Sequence, residues 1–316
     1  MCPRASEHDA VSGPPRAHVA VLGAGLMGSQ IGCEYALGGC HVTWIVRDRA
    51  RSEQRVEQAL AVARDHGLAD EPALARARTS MTFLGDSTST SDADGSDQRS
   101  PQLIVESLPE DLSLKADVLG ELAPRYPHAT IASNTSSLSI SALGEAAGVG
   151  ERIVGTHYWN PPLLMPLVET IAGRHTPREL LVAVLGLLRA IGKRPIVLER
   201  EATGLLWNRL QLAVLRECEW LVEHGVATPQ TIDEVMRDGL ARRWRLTGPF
   251  ETVGLGGAKT FDAIAANLFP VLSSATTGKG FERYVPSDPA VLARLRENRD
   301  EALAAELRDE RSERAS

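Results

Sequence analysis

The sequence predicts an α/β protein with a doubly wound parallel sheet followed by an all-helical C-terminal domain. An apolar run at residues 18–22 breaks into a glycine-rich turn at 23–28, and a helical pattern and a second apolar run follow it. Strand, glycine turn, helix and strand within about thirty residues form the βαβ unit of a Rossmann-type fold. Further short apolar runs recur as far as residue 198, and after it only helical periodicity remains.

The glycine turn has the GxGxxG spacing, and its residues are Gly23, Ala24, Gly25, Leu26, Met27 and Gly28. The bare pattern is weak, but here it follows a strand and opens a helix. A pyrophosphate group bound at a helix N-terminus requires that context. A tight turn without a ligand is the less favoured alternative, so we expect these six residues to bind a dinucleotide.

The end of the second strand bears on which dinucleotide binds. An acid that bonds the ribose 2′-hydroxyl belongs there, but the position is Val46, and Arg47 and Asp48 follow it. Arg47 could hold a 2′-phosphate, which the planar guanidinium fork suits. Asp48 could still reach the ribose if the strand ends later, and a solvated loop explains the arginine equally well. NAD and NADP therefore both stay open.

Composition and length exclude several other classes of protein. The chain has 316 residues, 43% of them apolar, and a formal charge of −7, which predicts two globular domains and argues against a nucleic-acid partner. No apolar run is long enough to span a bilayer, and the first 16 residues lack a signal-peptide core. We expect a cytoplasmic protein without a metal site, whose unpaired, reduced thiols are Cys2, Cys33, Cys40 and Cys218.

The chain is predicted to divide near residue 199. We expect a disordered tail at residues 1–16, a dinucleotide-binding Rossmann domain at 17–198 and a helical substrate and dimerisation domain at 199–316. Residues 85–101, which are rich in serine, aspartate and glycine, predict a surface loop.

One histidine and one carboxylate stand close to a hydroxyl-rich turn. The turn SNTSS at 133–137 follows one apolar run, His157 ends a second, and Glu169 lies in a third. The ends of successive parallel strands would bring them to one edge of the sheet. A neutral histidine held by a carboxylate is a general base. A satisfied core histidine and an ordinary strand glutamate are the alternative interpretation.

Several motifs occur together in one order and spacing. They are the glycine turn, Glu106-x3-Glu110-x4-Lys115, SNTSSL at 133–138, His157-x-x-Asn160-Pro161, LVE at 167–169 and Asn208-Arg209-Leu210. From about residue 17 to 285 the sequence resembles the 3-hydroxyacyl-CoA dehydrogenase family. NPPxxxPLVE at 160–169, GLxxR at 239–243 and GPFET at 248–252 resemble one branch in particular. That branch includes L-gulonate 3-dehydrogenase (lambda-crystallin) and carnitine dehydrogenase-like enzymes.

The resemblance implies transfer of a hydride between NAD(P) and the 3-hydroxyl of a 3-hydroxyacyl thioester or 3-hydroxy acid. His157 would take the hydroxyl proton, and Glu169 would hold the imidazole ring in one tautomer. Ser136 would bond the substrate oxygen and the cofactor. Asn208, from the first helix of the second domain, would donate to a developing oxyanion.

The resemblance also implies further contacts and a partner. Glu110, Lys115 and Asn160 match family positions that touch the cofactor or the substrate. The family's helical domains bury apolar faces between subunits, so a homodimer acting on a small molecule is expected, with Trp220 and Leu221 as candidate interface residues.

Departures from the family leave the substrate open. Relatives that use coenzyme A carry long, lysine-rich helices after the second strand, whereas residues 51–77 here contain no lysine. The lysine expected before the TGxGF turn at 277–281 is also absent. A carrier-bound acyl group is a further alternative substrate, and a non-catalytic NAD(P)-binding protein, as a crystallin would be, is the alternative function.

Overall fold

The computed structural model describes residues 17–85, 100–272 and 286–315, and they divide between two compact units. One unit holds the described residues up to Leu206 together with the C-terminal helix from Glu297 onward, and the other spans Trp207–Arg296. The predicted tail at 1–16, most of the predicted loop at 85–101 and the TGxGF turn lie outside the described residues.

A single eight-stranded sheet forms the centre of the first unit. Its order is β3-β2-β1-β4-β5-β6-β7-β8, and the strands are His18–Leu22 (β1), His41–Ile45 (β2), Met81–Leu84 (β3), Leu103–Glu106 (β4), Thr130–Ser133 (β5), Ile153–Tyr158 (β6), Leu167–Ala172 (β7) and Arg194–Val197 (β8). Each described neighbouring pair is parallel except β6 and β7, which are antiparallel. The predicted fold class is confirmed, but the strand with Glu169 is not parallel to the strand with His157.

Helices flank this sheet and build the second unit. Those of the first unit are Leu26–Leu37 (α1), Arg49–Asp65 (α2), Glu71–Thr79 (α3), Leu112–Leu122 (α4), Ile140–Ala146 (α5) and Arg178–Ala190 (α6). The second unit holds Trp207–Glu223 (α7), Pro229–Glu234 (α8), Arg242–Trp244 (α9), Pro249–Gly256 (α10) and Ala258–Leu268 (α11), with a π-helix at Val235–Ala241. The last helix is Pro289–Ala315 (α12).

The central strands are buried along their whole length because helices cover both faces of the sheet. Close packing there depends on a glycine in α1. A Cβ on Gly32 would lie 2.2 Å from the ring of Trp44, which is completely buried in β2. That side chain therefore fixes how closely α1 approaches the β2 end of the sheet.

The C-terminal helix departs from the predicted domain organisation. Residues 297–316 were expected in the helical domain, but the part of α12 from Glu297 onward belongs to the first unit. Its Ala304 and Leu307 are buried, and Arg311 donates to the carbonyl of Leu68 at 3.3 Å. Almost half of the residues of α12 are charged, so its few buried apolar residues gave too weak a periodic signal to place it.

In the described part of the chain, no helix combines the length and apolarity needed to cross a membrane. The same residues contain no group of three histidine, cysteine or acidic side chains arranged to hold a metal ion.

Candidate active site

The glycine turn joins the ends of three neighbouring strands. Gly23 has a φ of +89°, which disfavours any side chain, and a Cβ there would lie 3.0 Å from the carbonyl oxygen of Ser107. Its amide donates to the carbonyl of Ile45 at 3.2 Å. A Cβ on Gly28 would lie 2.1 Å from the carbonyl oxygen of Gly23. The first and third glycines are therefore required by the turn itself.

The second glycine has a different role. Gly25 is the N-cap of α1 without a side-chain cap, and a Cβ there would meet nothing within 4 Å. The first turn of α1 carries no acidic residue, and Leu26 is 65% exposed. Open space beside uncapped amide groups at a helix N-terminus fits a pyrophosphate, because the amides and the helix dipole both favour an anion. The turn thus fits a dinucleotide.

The hydroxyl-rich turn wraps around one carboxylate. Glu110 Oε1 accepts hydrogen bonds from Thr135 Oγ1 at 2.6 Å, the Ser136 amide at 2.9 Å and the Ser137 amide at 2.8 Å. Burial raises the pKa of Glu110, but the hydrogen bonds from Thr135 and Ser137 and the nearby Lys115 charge outweigh it, so the pKa lies below its ordinary value. Glu110 thus shapes the segment that carries Ser136.

Beneath this turn lies a buried charged pair. Lys115 is 1% exposed, and its Nζ contacts Glu106 Oε1 at 2.6 Å, with Glu110 Oε2 farther away at 3.6 Å. The other oxygen of Glu106 accepts from Ser133 Oγ at 2.5 Å. The structure therefore places Lys115 under the turn. Sequence analysis did not assign Glu106 and Ser133 to the site, and only the spacing of Glu106 in its motif pointed to a role for that residue.

His157 and Glu169 form a buried pair across the antiparallel strands β6 and β7. They are direct partners in the strand register, and His157 Nδ1 lies 2.7 Å from Glu169 Oε2. Their side chains are 6% and 0% exposed. A carboxylate can only accept, so Nδ1 carries the proton, and Nε2 is left as the basic nitrogen of the neutral ring.

Two further donors fix the glutamate. Trp159 Nε1 donates to Glu169 Oε2 at 3.2 Å, and the backbone amide of Leu206 donates to Oε1 at 2.8 Å. Neither Trp159 nor the Leu206 amide is among the site residues predicted from the sequence. The only sequence signal for Trp159 was its position two residues after His157. A backbone donor such as the Leu206 amide leaves no signal in the sequence.

A side-chain amide ties the hydroxyl-rich turn to the histidine strand. Asn134 Oδ1 accepts from the backbone amide of Tyr158 at 2.9 Å, next to His157. Ser136 is half-buried in this turn. Asn160 is exposed just beyond β6, and Asn208 lies in the first turn of α7, in the second unit. The turn and the histidine are thus held together at one end of the sheet.

The end of β2 carries the residues expected at the cofactor's ribose. Val46 is buried, and Arg47 and Asp48 are exposed. Asp48 is the N-cap of α2 and accepts from the Arg51 amide at 3.0 Å.

Comparison with known proteins gives two family matches in sequence order. Residues 18–202 match the NAD-binding domain of 3-hydroxyacyl-CoA dehydrogenase, and residues 204–287 match the C-terminal domain of the same family. Together they span most of the chain, and both halves match one family.

Individual relatives agree with this assignment. The chain is 30% identical over 263 residues to 5-formyl-3-hydroxy-2-methylpyridine 4-carboxylate 5-dehydrogenase of Mesorhizobium japonicum. The aligned region covers 81% of each protein. It is 34% identical over 245 residues to L-carnitine dehydrogenase of Nocardiopsis dassonvillei, covering 76% of this chain and 71% of that one.

A solved structure is similar over most of the chain. A crystal structure of the pyridine carboxylate 5-dehydrogenase, described as an NAD+-dependent dismutase, has a TM-score of 0.79 at 26% identity, covering 92% of this chain and 96% of that one. The expected family, fold class and NAD cofactor are confirmed. The chain belongs to the 3-hydroxyacyl-CoA dehydrogenase family and is an NAD-dependent dehydrogenase of 3-hydroxy-acid or 3-hydroxyacyl substrates.

Proposed function

We propose that His157 is the general base for oxidation of the substrate's 3-hydroxyl and that Glu169 positions it. The observation that carries the proposal is the 2.7 Å contact between His157 Nδ1 and Glu169 Oε2 inside a buried strand pair. Because the proton resides on Nδ1, Nε2 has the free lone pair that accepts the hydroxyl proton.

The reaction divides between the cofactor and the side chains. NAD, held at the glycine turn of residues 23–28, would supply the acceptor for the hydride of the carbinol carbon. His157 Nε2 takes the hydroxyl proton in the same direction, and the imidazolium returns it in the reverse reaction. The carboxylate of Glu169 stabilises the positive charge that develops on the ring, and the burial of the pair strengthens this interaction.

Two polar residues complete the proposed machinery. Ser136 bonds the substrate oxygen and the cofactor, and its amide contact with Glu110 holds its turn in place. Asn208 is assigned the role of oxyanion donor on its match to the family's Asn208-Arg209-Leu210 motif alone. Removal of a preorganised donor of this kind costs about 2.7–4 kcal/mol of transition-state stabilisation.

The proposed substrate is a small free 3-hydroxy acid. Residues 49–79, which form α2 and α3, contain no lysine that could bind the phosphates of coenzyme A. One relative is named for L-carnitine, itself a 3-hydroxy acid, and another for a pyridine carboxylate. A coenzyme A thioester and a carrier-bound acyl group are the competing substrates.

Two measurements test this function. His157→Ala should lower kcat by roughly 10²–10⁴-fold while NAD still binds, and the exposed His128→Ala serves as the matched control. Retained turnover in His157→Ala would contradict the assignment of the base.

A substrate panel of L-carnitine, 3-hydroxybutyrate, L-gulonate and 3-hydroxybutyryl-CoA should give its highest kcat/KM with a free acid. A clear thioester preference would overturn the substrate class, and NAD binding without any turnover would favour the crystallin-like alternative.

We also propose that two copies of the chain associate through the helical unit. Phe250 is 90% exposed and Leu246 is 83% exposed, and they stand four residues apart in the sequence. Exposed apolar patches mark sites of protein–protein association. Trp220 is half-buried and stacks on His224, so it contributes less exposed surface than the other two. Light scattering on the purified protein should give twice the chain mass, and the double variant Leu246→Asp/Phe250→Asp should reduce it to one. A monomeric parent protein would refute the dimer.

A further inference from the structure

The end of β2 lies against the glycine turn and lacks the acid that selects an unphosphorylated ribose. β1 and β2 pair in parallel with Leu22 opposite Ile45, and the Gly23 amide bonds the carbonyl of Ile45. The next residue is Val46, which is 5% exposed and packed in the core. A buried aliphatic side chain offers nothing to the 2′-hydroxyl.

The nearest carboxylate has another role. Asp48 Oδ1 accepts from the Arg51 amide at 3.0 Å and so caps α2. N-cap bonds of this kind stabilise a helix, so turning the carboxylate toward a ribose would weaken the start of α2. The acid most able to replace the missing one is thus engaged in the fold.

Two arginines, Arg47 and Arg55, supply positive charge in this part of the site. Arg47 is exposed and makes no hydrogen bond or ion pair with any residue that the structure describes. Arg55 Nη1 donates to the carbonyl of Ala24 in the glycine turn at 3.3 Å, so a second guanidinium lies beside the turn. Arg49, by contrast, is paired with Glu53 at 2.7 Å.

We propose that this end of the dinucleotide site binds a 2′-phosphate through Arg47, so that the enzyme accepts NADP(H) alongside NAD(H) and binds the phosphorylated form more tightly. The inference rests on the dinucleotide site proposed at the glycine turn. A free guanidinium forms paired, charge-assisted hydrogen bonds with phosphate. With valine in place of the acid, no negative side chain at that position repels the 2′-phosphate. The valine also offers no carboxylate that could accept a hydrogen bond from a free 2′-hydroxyl.

The test compares the binding of 2′,5′-ADP and 5′-AMP by calorimetry, because these probes differ only in the 2′-phosphate and need no turnover. The affinity for 2′,5′-ADP should be at least about tenfold higher than the affinity for 5′-AMP, because a charge-assisted bond to phosphate contributes this much. Arg47→Ala should abolish the difference and leave 5′-AMP binding unchanged. Arg64→Ala, which removes one charge from the far end of α2, should leave both affinities unchanged.

The remaining outcomes distinguish a failure of the role proposed for Arg47 from a failure of the dinucleotide site itself. Equal binding of the two probes to the parent protein, or an equal loss of both in Arg47→Ala, would overturn the role of Arg47 and leave the dinucleotide site standing. Binding of neither probe would overturn the site at the glycine turn and the inference with it.

Discussion

The backbone amide of Ser136 donates to the carboxylate of Glu110 at 2.9 Å, across 26 residues of sequence. The same oxygen accepts from Thr135 and Ser137, so the shape of the turn depends on a charge supplied by another segment. Because Lys115 lies 3.6 Å from the second oxygen, the turn is also linked to the buried pair beneath it. Polar contacts therefore hold the proposed substrate-binding serine in place from below.

This arrangement predicts a pH-dependent contribution to stability. Although burial opposes ionisation, hydrogen bonds from Thr135 and Ser137 and the charge of Lys115 hold the pKa of Glu110 below its ordinary value. Its stabilisation is therefore complete above the unfolded-state pKa of about 4.3 and is lost as the pH falls through the lower folded-state value. The free energy of unfolding in urea should thus differ between the parent protein and Glu110→Gln by a constant amount above about pH 5 and by less below about pH 4.

The exposed Asp117, also on α4, provides the matched control for this experiment. Asp117→Asn should leave the pH dependence of unfolding as it is in the parent protein. A difference between parent and Glu110→Gln that stayed constant down to pH 3 would show that Glu110 titrates normally.

The geometry around Glu169 predicts a severe catalytic defect from a small change. Its carboxylate accepts from His157 Nδ1, Trp159 Nε1 and the Leu206 amide. Glu169→Gln replaces one acceptor oxygen by a donor, so at least one of these contacts becomes repulsive and the histidine tautomer is no longer fixed. Turnover should fall by up to about 10⁴-fold, the loss seen when a comparable histidine loses its orienting carboxylate.

Kinetic measurements on Trp159→Phe and Glu169→Gln should separate a role of Glu169 in positioning His157 from a role in folding. Trp159→Phe removes a single 3.2 Å donor and keeps the shorter histidine contact, so a loss of less than about tenfold in kcat is expected. Glu169→Gln should also change the pH profile of kcat/KM, which reports the essential base of the free enzyme. An unchanged profile with nearly full kcat would remove Glu169 from the mechanism.

The sequence was sufficient for the features that depend on local pattern. The glycine turn at 23–28 and the apolar strand runs are properties of neighbouring residues, and the fold class followed from them. β3 was not identified because Met81–Leu84 alternates half-buried and exposed residues at the sheet edge and is only four residues long. A strand that short gives almost no periodic signal.

The site was only partly predictable for a different reason. His157 and Glu169 were paired from sequence, but on the assumption of parallel strands. The loop between β6 and β7 is short, and a connection of that length suits antiparallel neighbours. Contacts such as Leu206 to Glu169 and Asn134 to Tyr158 depend on tertiary structure and leave no local pattern.

The cysteines provide a test of packing in the first unit. Burial raises the pKa of Cys40 to about 12 and raises that of Cys33 still further, and both side chains are fully buried. Thiolates are the reactive form, so these two groups should resist a thiol reagent in the native protein. In a Cys2→Ser background, Cys218 on α7 should be the one thiol modified at pH 8, because it is only partly buried.

Addition of denaturant should release the other two thiols at the rate of global unfolding. Cys2→Ser/Cys218→Ser is the control, and it should show no fast modification. Rapid labelling of Cys33 or Cys40 in the folded protein would mean that α1 opens away from the sheet without global unfolding.

Two glycines of one turn should respond to alanine in opposite ways. Gly25→Ala places a methyl group in open space at a backbone conformation that alanine adopts, so it should cost at most about 1 kcal/mol of the unfolding free energy, the cost of an unfavourable N-cap. The methyl group would occupy the space in which a pyrophosphate approaches the amides of α1, so NAD affinity should fall about tenfold or more. Gly28→Ala would place its Cβ 2.1 Å from the carbonyl oxygen of Gly23, and the resulting backbone shift should cost about 1–3 kcal/mol of stability.

Urea unfolding and NAD titration on both variants distinguish these effects. The expected pattern is a folded Gly25→Ala protein with weak cofactor binding and a destabilised Gly28→Ala protein. Full NAD affinity in Gly25→Ala would mean that the cofactor phosphates do not approach the backbone at this helix N-terminus, and the proposed dinucleotide site would then be wrong.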